Sequence, residues 1–145
     1  MKKITFYRAN KMIKGTAISF DFNKEKESVF MEIASQKEEK AFDWEKRITM
    51  KLSVTDISKI IYCIEQRKDV QIFHDPNKNE FAQTKTDTAK NTSFNISVLE
   101  TGFNFKIGEQ GKDGTLNSKM INLSNDEAIT LKILLTKAIE KIFDW

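Results

Sequence analysis

Two short stretches constrain this chain more than anything else in it: Ser53-Val54-Thr55-Asp56 and Ser124-Asn125-Asp126-Glu127. Each places a serine three residues before a carboxylate. In that arrangement hydroxyl and carboxylate satisfy the free N–H groups that open a helix. Ile57, Ile60, Ile61 and Ile64 follow the first box at helical spacing, which predicts a short helix over about 54–66. The second box opens a longer helix reaching about Phe143. One stripe on it is Ala128, Leu131, Leu135, Ala138 and Ile142, and a second is Ile129, Ile133, Leu134 and Phe143. Together the stripes are wider than one sheet face requires.

What precedes each box alternates with a period of two, the mark of a strand with one face buried. Residues 4–9, 13–22, Val29 to Ser35 and Arg47 to Leu52 read as four strands. In the second strand, Thr16, Ile18, Phe20 and Phe22 share one face. Gly15, Ala17, Ser19 and Asp21 share the other, which is small enough for another backbone or a flat ligand to approach. No crossover helix fits between these strands, so they form an antiparallel meander, with a charged connection from Gln36 to Lys40. A second meander begins at Val70. It includes Ser93 to Val98, Phe103 to Ile107 and a last strand around Lys119 to Leu123, with a hairpin turn at Glu100-Thr101-Gly102. Asn79 to Thr92 is polar and expected to be a mobile connection, and Gly108 to Gly114 reads as another loop. The class is α+β: four strands, helix, four strands, helix, within one domain over 1–145. Its halves cover about 4–66 and 70–145. The architecture is duplicated, but the sequence carries no matching repeat.

The 145 residues suit a single core, and eleven Phe supply ample material for it. The single Cys, Cys63, excludes a disulfide within the chain and reads as a buried apolar group on the first helix. With one His, His74, a Cys/His zinc site is excluded as well, and no metal or other cofactor is expected. A Ser-His-Asp site would have to use His74, and no GxSxG accompanies it. In Phe73-His74-Asp75-Pro76-Asn77, the last three residues read as a turn and His74 as a hydrogen-bonded structural residue. Composition thus argues against an enzyme and against a small-molecule substrate. No apolar run approaches the roughly 20 residues that span a bilayer, so no membrane segment is expected. Met1-Lys2-Lys3 runs straight into the first strand, leaving no signal or transit peptide to expect.

Charge is distributed unevenly. Residues 1–68 hold 15 basic and 10 acidic side chains, and the remainder 9 and 11. A basic N-terminal half suits a polyanion. Single-stranded nucleic acid needs rings for its unpaired bases and cations for its phosphates. The candidates are Tyr7, Arg8, Lys11 and Lys14 on the first two strands, together with Phe30. Trp44, Lys46 and Arg47 precede the fourth strand, and Phe103 and Lys106 lie on the second meander. Lysines and arginines would hold phosphates, while the rings would stack bases or shape the groove. Leu131, Leu135, Ala138 and Ile142 are the candidates for self-assembly. Single-stranded RNA, or a protein-interaction module without nucleic acid, would suit the same platform.

Several blocks resemble the Whirly family. Phe42-Asp43-Trp44-Glu45-Lys46-Arg47 followed by Leu52-Ser53-Val54-Thr55-Asp56-Ile57 is similar to its aromatic-Asp-Trp stretch and first helix. Ile72-Phe73-His74-Asp75-Pro76-Asn77-Lys78 resembles its Phe-His-Asp-Pro segment. Lys14-Gly15-Thr16-Ala17 looks like a variant of its Lys-Gly-Lys-Ala-Ala motif, and Ile142-Phe143-Asp144-Trp145 like its apolar-Gly-Trp ending. The resemblance implies two four-stranded antiparallel sheets packed crosswise, each followed by a helix. It also implies sequence-tolerant binding of single-stranded DNA by a homo-tetramer, with roles in genome maintenance, repair and recombination, or transcription. An intracellular, nucleic-acid-associated location follows, whether cytoplasm, nucleoid, organelle or nucleus. Thr16 stands where the family motif has its second Lys, a residue tied to higher-order assembly and repair.

Overall fold

Segments of period two form strands, and both capped segments form helices. β1 (Ile4–Arg8), β2 (Thr16–Asn23), β3 (Ser28–Glu38), β4 (Ala41–Phe42) and β5 (Ile48–Leu52) precede α1 (Val54–Gln66). β6 (Val70–His74), β7 (Asn91–Leu99), β8 (Gly102–Gln110) and β9 (Leu116–Ser124) precede α2 (Asn125–Phe143). This computed structural model describes residues 2–75, 91–111 and 113–145. Pro76 and Asn77 of the expected turn, and most of the Asn79–Thr92 connection, lie outside the described residues, while Asn91 and Thr92 open β7. Both capping boxes form as expected, with each serine side chain accepting from the N–H three residues on.

Pairing is antiparallel throughout. In the first sheet β2 lies between β1 and β3, and β5 takes the other edge of β3. The sequence anticipates four strands here, and the structure adds β4, two residues paired to the end of β3 across an irregularity between Gln36 and Glu38. Two residues are too short for alternation to show. In the second sheet the order is β6-β7-β8-β9. Gly108 to Gln110, expected in a loop, extend β8 and pair with β9.

Register stacks the apolar positions into rows. Phe6, Ile18, Ile33 and Ile48 form one row, with Phe20, Met31 and Met50 in the next. On the second sheet, Ile72, Phe94 and Ile107 form one row and Ile96, Phe105 and Ile121 another. The two inner faces share one core, where Phe20 meets Phe105 edge to face at 6.4 Å. β9 crosses β2 and β3: Thr16 Oγ1 donates to the Met120 carbonyl at 2.7 Å, and Lys119 Nζ to Ser35 Oγ at 2.9 Å.

Two expectations are corrected by this core. Phe103 is 1% exposed, its ring packed among core residues with the Arg67 guanidinium 5.0 Å from its centroid, so it cannot stack a base. Leu131, Leu135 and Ala138 are likewise buried in the protomer's own core, because α1 as well as both sheets packs against α2. They cannot form an assembly surface, and Ile142 beside them is half-buried. The second stripe of α2 remains outside, with Ile129, Ile133, Leu134 and Phe143 exposed.

His74 is structural, as its sequence context suggests. Its Nε2 lies 2.8 Å from Asp56 Oδ2, which also accepts from Ser53 N at 3.0 Å. The end of β6 is thereby tied to the start of α1. Burial raises the Asp56 pKa, but the bonds from His74 and Ser53 outweigh it and hold the carboxyl below its ordinary value. Burial pushes the Cys63 thiol up to about 11, which keeps it an inert core group.

Candidate nucleic-acid interface

The outer face of the first sheet is made by residues that alternate with the core. Its rows are Tyr7–Ala17–Ala34, Thr5–Ser19–Glu32–Thr49 and Asp21–Phe30–Lys51. Small residues form the centre: Ala17, Ser19 and Ala34 are fully covered. The small face, expected to admit another backbone or a flat ligand, is wholly covered at these three residues, so a ligand does not reach them directly. Tyr7 pairs with Ala17 and meets Phe42 with ring centroids 5.6 Å apart. Tyr7 itself stays 57% exposed, so one face of this aromatic pair is open to a base.

A 3-10 turn, Trp44–Lys46, carries the chain from β4 back toward β5. It is fixed to the sheet by Arg47, which pairs with Glu32 of β3 and donates from its Nη1 to the Trp44 carbonyl at 2.6 Å. Trp44 is thereby held half-buried, with Lys3 Nζ 5.8 Å from its ring. Lys3 immediately precedes β1, so this contact reaches across the sheet. Phe30 is half-buried, Lys26 Nζ lies 5.4 Å from its ring, and Lys51 sits beside it in register. The face thus sets rings beside cations, with the Asp21 carboxylate in Phe30's row and Glu32 paired to Arg47, and each cation–ring contact keeps the ammonium beside a place where a base could stack.

The structure brings together most of the residues expected from sequence. Tyr7, Phe30, Trp44 and Arg47 share this face. Lys46 is exposed on the 3-10 turn beside it, and Lys11 and Lys14 are exposed on the β1–β2 loop at its end. Arg47 acts mainly by positioning Trp44, since Glu32 occupies its guanidinium. Arg8 is a correction. It follows the core parity of Ile4 and Phe6 and forms an ion pair with Glu127, the carboxylate of the α2 capping box. Burial opposes ionisation of Glu127, but bonds from Ser124 and Arg8 hold its pKa below the ordinary value. Lys106 is exposed on the outer face of the other sheet, between Asn95 and Met120. It does not join the aromatic face.

Sequence reasoning misses Phe42, Lys3, Lys26, Lys51 and Gln36. Phe42 is visible as part of the aromatic-Asp-Trp block. Lys51 follows from the parity of Ile48, Met50 and Leu52, which leaves it pointing outward. Gln36 gives no signal, yet it is buried and organises the adjoining loop. Among the described residues, no group of three or more His, Cys, Asp or Glu is placed to hold a metal, and no helix is long and apolar enough to cross a membrane.

With this geometry in place, the chain can be compared with known proteins. The family model for the Whirly transcription factor matches residues 14–134. WHY3 from Arabidopsis thaliana superposes with a TM-score of 0.80, at 18% identity, over 100% of this chain and 90% of its own. The plant transcriptional regulator PBF-2 gives 0.78 at 18% identity, covering 100% and 92%. WHY1 from Arabidopsis thaliana gives 0.77 at 18% identity, covering 99% and 86%. At that identity the structural likeness is one of fold. No curated protein sequence matches the chain.

Proposed function

The chain belongs to the Whirly family, and from this premise and its surface chemistry we propose a sequence-tolerant single-stranded DNA-binding protein acting in transcription regulation or genome maintenance. The observation that carries the reading is the outer face of the first sheet, where Tyr7, Phe42, Trp44 and Phe30 are interleaved with Lys3, Lys26 and Lys51. Stacking on rings requires unpaired bases, and it tolerates any sequence because every base has a π-face. A sheet studded with side chains offers no helix to a major groove, so duplex DNA gains little from it. The similar fold of PBF-2, a plant transcriptional regulator, agrees with this reading.

Assembly is part of the proposal. The exposed stripe of Ile129, Ile133, Leu134 and Phe143 is an apolar surface that symmetry mates would cover, and the family suggests a homo-tetramer. Light scattering tests it: a species near four times 16.8 kDa supports the tetramer, and a monomer at micromolar concentration refutes it.

One competition titration tests the function, with single-stranded DNA, duplex DNA and single-stranded RNA of equal length. Single-stranded DNA should bind at least about tenfold tighter than duplex, a difference of roughly 1.4 kcal/mol. Equal affinities for single strand and duplex would remove the stacking mechanism. Preference for RNA would move the protein to the other single-stranded polymer.

A further inference from the structure

We propose that the loop joining β1 to β2 is an apolar wedge that separates neighbouring bases of a bound single strand. This rests on the single-stranded DNA reading above and adds to it a part that no ring or cation on the sheet supplies. The tip of the loop is Lys11-Met12-Ile13-Lys14. Met12 is 72% exposed and Ile13 45%, so two apolar side chains stand in solvent between two exposed lysines. A turn of this kind ordinarily carries Gly, Asn or Asp.

The backbone makes the choice of residue more telling. Ile13 has φ of 56°, the left-handed region, where a β-branched side chain is a genuine outlier. The other non-glycine residues at positive φ among the described residues, Glu27, Arg67 and Asp144, are not β-branched. Such a conformation persists only where the surroundings fix it. Gln36 does so here: its Oε1 accepts from Asn10 N at 3.1 Å and Gly15 N at 2.9 Å, and its Nε2 donates to the Asn10 carbonyl at 3.1 Å. Asn10 then closes the tip, its Oδ1 accepting from Lys14 N at 3.0 Å and its carbonyl from Ile13 N at 3.2 Å. A Cβ at Gly15 would lie 1.8 Å from the Arg8 carbonyl oxygen, so only glycine lets the loop return this tightly. The tip is therefore held in one shape with its apolar side chains outward.

Position supplies the ligand. Gln36 continues the outward parity of Phe30, Glu32 and Ala34 along β3, and it pairs with Phe42. The loop it clamps stands at the end of the row that contains Tyr7 and Ala17. A strand laid over Tyr7 and Phe42 runs into Met12 and Ile13. Apolar side chains wedge between base steps when flanking cations hold the backbone, and Lys11 and Lys14 are placed to do so.

The test uses the full chain and a single-stranded oligonucleotide carrying 2-aminopurine, whose fluorescence rises when it is unstacked. Wild type should raise that fluorescence on binding. Met12→Ser with Ile13→Gly should abolish the rise and weaken binding about tenfold, the scale of one base-stacking interaction. Glycine is at ease at positive φ, so the thermal midpoint should be no lower than that of wild type. Met12→Ser alone, which leaves the backbone untouched, should reduce the rise in part. Wild-type affinity and an undiminished fluorescence rise in the double variant would overturn the wedge while leaving the function standing. A smaller assembly in the variant, or loss of binding to anionic phospholipid vesicles with DNA binding intact, would reassign the tip to a second copy or to a membrane and overturn it equally. Failure of the wild type to bind any single strand would overturn both readings.

Discussion

The two sheets are alike on their inner faces and unlike on their outer ones. Inside, both present rows of apolar side chains, Phe and Ile foremost, to a common core. Outside, the first sheet carries Tyr7, Phe30, Phe42 and Trp44 with lysines beside the rings. The second carries Gln71, Ser93, Asn95, Ser97, Asn104 and Asn122 in the equivalent outward positions, with Asn104 Nδ2 donating to Asn122 Oδ1 at 2.8 Å. Its exposed exceptions are Phe73, Leu99, Lys106, Leu116 and Met120, and among the described residues no ring–cation contact joins them. The duplication thus concerns architecture only. Folding requires both inner faces to be apolar, whereas binding requires only one outer face to differ.

The sharpest way to break this comparison is to exchange inner for outer. Phe103→Ala, on the inner face of the second sheet, should cost about 3–5 kcal/mol of stability, the ordinary effect of deleting a buried ring. Affinity for single-stranded DNA should be retained below the lowered melting point. Denaturant unfolding together with a binding titration checks both halves. Tyr7→Ala reverses the pattern: little change in stability, and a loss of about 1–3 kcal/mol in binding. A Tyr7 variant that binds like wild type would place the strand elsewhere.

Charge sharpens the same contrast more gently. Lys3→Ala with Lys51→Ala should make the dependence of log K on log salt shallower by about 0.7 for each phosphate no longer neutralised on a single strand. Lys106→Ala, on the outer face of the second sheet, should leave the slope unchanged. Titrations at three salt concentrations distinguish them. If Lys106 alone moves the slope, the faces have been assigned the wrong way round.

The smallest effect is one of pH, at the join between the two halves. Asp56 ionises in the folded protein below its ordinary value of 3.8, so the stability it contributes is complete above that value. It is lost as pH falls through the lower folded pKa. Asp56→Asn should lower the melting point at pH 7 by about a few degrees, and the gap from wild type should close on acidification below about pH 4. A gap constant from neutral pH down into the acid range would mean that the carboxylate charge contributes nothing.

Much of this organisation is legible in the sequence because the signals are local. The capping boxes locate α1 and α2, and the alternation in Thr16 to Phe22 assigns the faces of β2 correctly. Tertiary context decides the rest. Phe103 and Tyr7 are both aromatic residues on strands of alternating pattern, and only the pairing of the sheets shows that one ring enters the core. Arg8 reads as a free cation until β1 is seen to bring it to Glu127, which lies 119 residues away. The stripe of Leu131 and Leu135 looks like surplus apolar surface when α2 is set against one sheet, and it is fully covered once α1 and both sheets are counted. Gln36 is silent because its partners are backbone groups of a distant loop.

Photocrosslinking tests the central claim most directly. The full chain would be irradiated with an oligonucleotide bearing 5-iodouracil, and the attached peptides identified by mass spectrometry. Crosslinks should fall on the outer face of the first sheet, at Tyr7, Phe30, Phe42 or Trp44. Crosslinks confined to the outer face of the second sheet, at Phe73 or within residues 93–97 and 118–122, would contradict the assignment of the binding face.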